Sequence, residues 1–158
     1  VYKCSRNDKK NGTFERVVGD MVILCNYPDK YRKETKQGFK WLNENAAICD
    51  FDSLNDLLTR LTASIDATKE TRALFNSKNG YIFVAAFKAF TEMGYQDAEF
   101  GRFLGWFVNG GSGTEIDGKS WNVLDMSHST RDSGVVHGKV DYLVALMEKY
   151  FTETRKVA

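Results

Sequence analysis

One proline, Pro28, stands in a chain of 158 residues. The residue that breaks the helical hydrogen-bond ladder is almost missing, so long helices are permitted. Cysteine is scarce as well. Cys4, Cys25 and Cys49 are odd in number, widely spaced and without a C-x-x-C pair. That excludes a disulfide-stapled scaffold and points to reduced, structural thiols in a cytosolic protein. His128 and His137, the two histidines, are too few for a usual zinc set. We expect no metal and no cofactor. No apolar run approaches the roughly 20 residues that cross a bilayer. We expect no signal peptide and no membrane partner. An excess of one charge is absent too: 22 basic residues stand against 21 acidic ones, net +1. Nothing in that balance demands nucleic acid or an anionic membrane. A local basic face stays open, since net charge hides distribution. Lys9-Lys10, the run from Lys30 to Lys36, and Arg155-Lys156 are its material, with a solvated surface the plainer account. The chain opens at Val1 without methionine, and we expect it to be a piece of something longer.

What is present is aromatic and periodic. Aromatics reach 13%, with 11 Phe, enough to fill a real core in one domain of this length. Residues 4–16 are polar, with a turn signal at Asn11-Gly12, and read as a loop or a short edge hairpin. Residues 17–27, VVGDMVILCNY, are apolar and β-branched; periodicity leaves strand and buried helix equally open. Residues 31–47 read as a helix with Phe39, Trp41 and Leu42 near its buried side. Asp52 or Ser53 caps a second helix whose stripe is Leu54, Leu57, Leu58, Leu61 and Ile65, with a continuation through residues 71–75. Residues 81–93 are apolar nearly all round and form the central buried helix, ended by Gly94. Asp97 starts another, with Phe100, Phe103, Leu104 and Phe107 on one face. In residues 127–151, Val140, Leu143, Val144, Met147 and Phe151 form one stripe at the helical period, widened by Leu146 and Tyr150. This helix opens near Asp132 and Ser133, or at Lys139 after Gly138.

Three patterns carry possible chemistry. GTEIDGKS, residues 113–120, matches the phosphate-loop pattern G-x-x-x-x-G-K-[ST] letter for letter. In such a loop Lys119 would reach the phosphates and Ser120 would hold Mg²⁺. Glu115 and Asp117 oppose that reading, because they put carboxylates where anions must bind. Only 38 residues follow Ser120, too few for the later parallel strands. The segment reads instead as a turn at Asp117-Gly118. Ser127, Ser129 and Ser133 lie near His128 and Asp132, yet no G-x-S-x-G elbow occurs. Trp41, Trp106 and Trp121 suit a core better than a base-stacking platform.

The third pattern is Arg131-x5-His137. It resembles the R-x(4–6)-H signature of HEPN-domain ribonucleases, and RDSGVVHG is loosely similar to the R-N-K-x-G-x-x-H-G run of abortive-infection HEPN proteins. The resemblance implies a helical bundle in which Arg131 holds a phosphate in its fork and His137 moves a proton. Asp132 and the position of Gly134 depart from that run. Read without the resemblance, Arg131 pairs with a surface carboxylate and His137 is an ordinary helix-start residue.

Three further runs, FNSKNGYIFVAAFKAF, EIDGKSW and HSTRDSGVVHGKVDYLVALMEKYF, together resemble the helical C-terminal region of ParB-like proteins of the GmrSD restriction type. They cover about half the chain. The resemblance implies a module that follows a catalytic domain. That domain's aspartate-glycine-glutamine motif has no counterpart here, since Asp117-Gly118 is followed by Lys119.

The expectation is one mostly α domain, a bundle of about five helices. A small hairpin is allowed near the N-terminus or around residues 114–121. Its core contains Leu54, Leu57, Leu61, Phe83, Phe87, Phe90, Phe103, Leu104, Phe107, Leu143, Met147 and Phe151. The function expected is a non-catalytic scaffolding, regulatory or nucleic-acid-contacting module, partnered by nucleic acid or an upstream catalytic domain. The alternative is a HEPN-like ribonuclease using Arg131 and His137.

Overall fold

The computed structural model describes residues 5–65 and 68–157. Among them are nine α-helices: α1 Arg6–Lys10, α2 Thr13–Asn26, α3 Thr35–Asn45, α4 Phe51–Ser64, α5 Lys69–Leu74, α6 Gly80–Glu92, α7 Asp97–Val108, α8 Trp121–Asp125 and α9 Ser133–Val157. The all-α class holds, but the expected five helices become nine: residues 17–27, left open between strand and helix, fall in α2, the continuation through 71–75 falls in a separate helix α5, and the short α1 and α8 are added. The described residues contain no strand.

The N-terminal hairpin is replaced by a capped turn of helix. Ser5 Oγ accepts from the Asp8 N–H while the Asp8 carboxylate accepts from the Ser5 N–H, at 3.1 and 2.8 Å. This reciprocal box starts α1. Gly12, at φ 75°, then turns the chain into α2. The apolar run within residues 17–27 is therefore helical up to Asn26, with Val17, Met21 and Leu24 buried. For α4 the cap is Asp50, whose carboxylate accepts from the Ser53 N–H at 2.9 Å, rather than Asp52 or Ser53. The helix expected over residues 31–47 begins four residues later, at Thr35.

Around 114–121 the second allowed hairpin shrinks to an isolated bridge between Ile116 and Lys119. Asp117 and Gly118 both have positive φ, 50° and 75°. That is the signature of a two-residue I′ turn.

The core is built on α6, which packs against α2 on one side and α9 on another, with α4 and α7 closing the bundle. Phe83, Phe87 and Phe90 on α6 meet Phe100 and Phe107 on α7 and Phe151 on α9, and Phe103 of α7 packs against Phe107 and Phe151. All twelve expected core residues are buried. One backbone contact is unusually close: a Cβ on Gly101 of α7 would stand 2.1 Å from the Ser64 carbonyl oxygen at the end of α4.

Candidate functional site

Arg131 and His137, the two residues singled out by spacing, both lie near Tyr31 but serve different surroundings. Arg131 sits just before α9. The Asp132 carbonyl accepts from the Val136 N–H at 2.9 Å, opening α9 so that His137 falls beyond its first turn. The Arg131 guanidinium turns inward. One Nη donates to both oxygens of Asp20, at 3.2 and 3.0 Å, and the other donates to Thr35 Oγ1 at 3.0 Å. The carboxylate expected at the surface is instead Asp20, 5% exposed in the middle of α2.

Asp20 has a second cation. Arg16, one turn earlier on α2, donates to Asp20 Oδ2 at 3.0 Å and also to the Ser77 carbonyl oxygen at 3.2 Å. Burial pushes the Asp20 carboxyl above its ordinary range, and Arg131 and Arg16 pull against that. Burial works to weaken the Arg131 cation, yet Asp20, followed by Tyr31 and Tyr81, keeps it more firmly protonated than usual. Tyr31 donates to the Arg131 carbonyl oxygen at 3.1 Å, and its hydroxyl lies 3.3 Å from that of Tyr81. Both phenols are pushed up by burial. Arg131 Nε is buried without a hydrogen-bond partner among the described residues. The void beside this cluster, lined by Arg16, Gly19, Asp20, Thr35 and Phe39 among others, is about 10 Å³. That is about one water and too small for a substrate.

His137 is half-buried and its ring meets the edge of Tyr31, with centroids 6.4 Å apart. It opens on a surface groove shared with Leu24, Cys25, Lys88 and Val140, which Arg131 does not line. Burial holds the Cys25 thiol up at about 12, so it is not a thiolate at neutral pH.

A second polar cluster was not visible by spacing. Lys139 lies on α9 with no exposed side-chain surface. Its Nζ donates to Asn79 Oδ1 at 2.9 Å and Asp125 Oδ1 at 2.8 Å, and stands 5.2 Å from the centre of the Trp121 ring. Lys78 reaches the same Asp125 oxygen at 2.9 Å, and the Asn79 amide donates to it at 2.9 Å. Burial alone would raise Asp125, but the hydrogen bonds from Lys139, Lys78 and Asn79 outweigh it and hold the carboxyl below its usual range. Burial pulls the Lys139 ammonium down. The signal missed was an acid or base inside an apolar run: Asp20 in VVGDMVIL and Lys139 in the stripe of α9.

The remaining candidates are placed simply. Lys119 is exposed on the I′ turn, and Ser120 caps α8, its Oγ accepting from the Val123 N–H at 3.5 Å. Among the described residues no strand precedes this loop, and the helix that follows it directly, α8, has five residues. It lacks the frame of a phosphate loop. His128 is exposed, while Asp132 pairs with Lys33 at 2.8 Å. Trp121 is buried; Trp41 and Trp106 are half-buried against the core. Among the described residues no three His, Cys, Asp or Glu side chains gather as metal ligands. No described helix is long and apolar enough to cross a membrane.

No family model, no curated protein and no solved structure matches this chain.

Proposed function

We propose that this chain is a non-catalytic helical module of a larger ParB-like, DNA-associated protein, serving as scaffold, regulator or nucleic-acid contact. One observation carries the non-catalytic part. The Arg131 guanidinium is committed to both oxygens of Asp20 and to Thr35. An arginine that gripped a scissile phosphate would first have to abandon that paired geometry and leave Asp20 less compensated. The water-sized void beside it admits no substrate. Support for a single module comes from where the three resembling runs meet. Lys78 and Asn79 belong to the first, Trp121 to the second and Lys139 to the third, and all four converge on one cluster with Asp125.

The ribonuclease alternative keeps one favourable observation: His137 faces a groove that also presents Lys88. The two readings separate by incubating the purified chain with single-stranded and hairpin RNA and resolving the products on a gel. No cleavage is expected. Cleavage that disappears in His137→Ala, with the fold intact by circular dichroism, overturns the non-catalytic reading.

A further inference from the structure

Helix α3 packs on α2 and on the short 3₁₀ turn that follows it. The flank of α3 beside that contact is open. Lys36, Phe39, Lys40 and Asn43 recur at i, i+3, i+4 and i+7 along that flank and, with Thr35 and Glu44, line one shallow open depression. The stripe has the spacing of a buried helix face but carries cations around a single aromatic ring. Phe39 was expected to be buried; it stays 36% exposed, with its inner edge against Gly19.

The charge around it is mostly positive. Residues 30–40 contain Lys30, Arg32, Lys33, Lys36 and Lys40 against the single acid Glu34. All five cations are exposed. Lys30 and Lys33 meet Asp29 and Asp132 at 3.3 and 2.8 Å, and Lys40 only approaches Glu44 at 3.8 Å. Arg32 donates to the backbone carbonyls of Asp29 and Tyr31 and has no ion pair among the described residues. Lys36 has no ion pair among the described residues. It also lies in the first turn of α3, which holds no acid. The helix dipole disfavours a cation there, and a bound anion would reverse that penalty. The start of α3 is tied to the bundle, because Thr35 accepts from the half-buried Arg131.

The geometry points to a single-stranded nucleic acid as the occupant of this face, with Phe39 stacking on an unpaired base and Lys36 and Lys40 on the phosphates either side. Two cations one helical turn apart, with an exposed ring between them, suit a flexible polyanion carrying flat bases. A duplex hides its bases from such a ring. This inference deepens the nucleic-acid part of the proposed function and rests on it.

The test is fluorescence anisotropy of the full chain with a labelled oligo-U of about 16 nucleotides, the upper end of common single-strand site sizes. It is run over a salt series, with a gel of the same samples to detect cleavage. The wild type should bind at low salt and weaken as salt rises. Lys36→Gln and Lys40→Gln should each reduce the slope of log K against log salt by about 0.7. Phe39→Leu, which keeps an apolar side chain against Gly19, should weaken binding roughly tenfold with the slope unchanged. Phe39→Trp should bind at least as well as wild type. Absence of binding at low salt, indifference to Phe39→Leu, or equal affinity for a duplex overturns the inference. So does binding to phosphatidylserine vesicles without binding to the oligonucleotide, which would assign the face to a membrane surface. A bound but cleaved oligonucleotide overturns the non-catalytic reading and leaves this face standing. An unbound, uncleaved one does the reverse.

Discussion

Asp20 is the residue on which the N-terminal and C-terminal halves of the chain agree. It reaches Arg16 one turn away and Arg131 across 111 positions of sequence. Removing one partner of a buried pair leaves the other charge desolvated, a loss of about 3–5 kcal/mol when nothing compensates. Here Arg16 remains, so Arg131→Ala should cost less, about 2–3 kcal/mol, an amount typical of an under-satisfied buried charge. Arg131→Lys should recover part of it, because an ammonium restores charge without the two-pronged fork. Urea midpoints for the three proteins give the order. Equal midpoints for wild type and Arg131→Ala would show that Arg131 is free for another role. Gly101 makes a second case at this scale. Its missing Cβ would lie 2.1 Å from the Ser64 carbonyl oxygen, which is backbone and cannot swing aside. Gly101→Ala should destabilise by about 1–3 kcal/mol, as overpacking does. An unchanged melting temperature would mean that α4 and α7 are not held this closely.

At the scale of elements, α9 shows what sequence periodicity conveys and where it slips. Leu143, Met147 and Phe151 are buried as their spacing requires. Val140 and Val144 are half-buried, whereas Val136, Lys139 and Leu146 are fully buried. The stripe is turned toward Lys139, because a lysine was counted as polar when its charge is neutralised inside. Burial of a cation depends on Asp125 and Asn79, and neither is near it in sequence. The same reason hid Asp20 within α2. The amphipathic helices and their aromatic faces were legible; α2 was not, because an apolar run reads alike as strand or buried helix, and α1 and α8 were not, because a single turn carries no period to count. Arg131 and His137 were legible as residue types, but the direction each side chain faces is set by tertiary packing. For α9 the consequence is direct. Leu143→Ala should cost about 2–5 kcal/mol, the range for truncating a buried leucine. Lys149→Ala, exposed on the far side, should stay within about 0.5 kcal/mol. Chemical denaturation of both variants checks the pair, and a harmless Leu143→Ala would remove α9 from the core.

Across the whole molecule, the ion pairs give stability a dependence on pH whose sign follows from the individual carboxylates. Asp50, Asp97, Asp125 and Asp132 all lie below the ordinary aspartate value of 3.8. A depressed carboxyl contributes stability in full above its unfolded value, and that contribution disappears as pH falls through the folded value. Asp20 is shifted the other way, so its term opposes theirs in acid. Lys139, a base held below its usual value, acts at alkaline pH, where stability rises as the ammonium loses its proton. The acid limb should therefore belong to the four depressed aspartates, and among them Asp125 holds the most partners. Asp125→Asn should be less stable than wild type near neutrality, where the carboxylate accepts from Lys139, Lys78 and Asn79. Between about pH 5 and about pH 2 the wild type loses that advantage and the two stability curves should converge. Urea midpoints measured across the interval test this, at constant ionic strength because the exposed pairs are screened by salt. A gap of constant width down to the lowest pH would mean that Asp125 titrates alike in folded and unfolded chains. Lys139 would then owe its burial to Asn79 and the Trp121 ring alone.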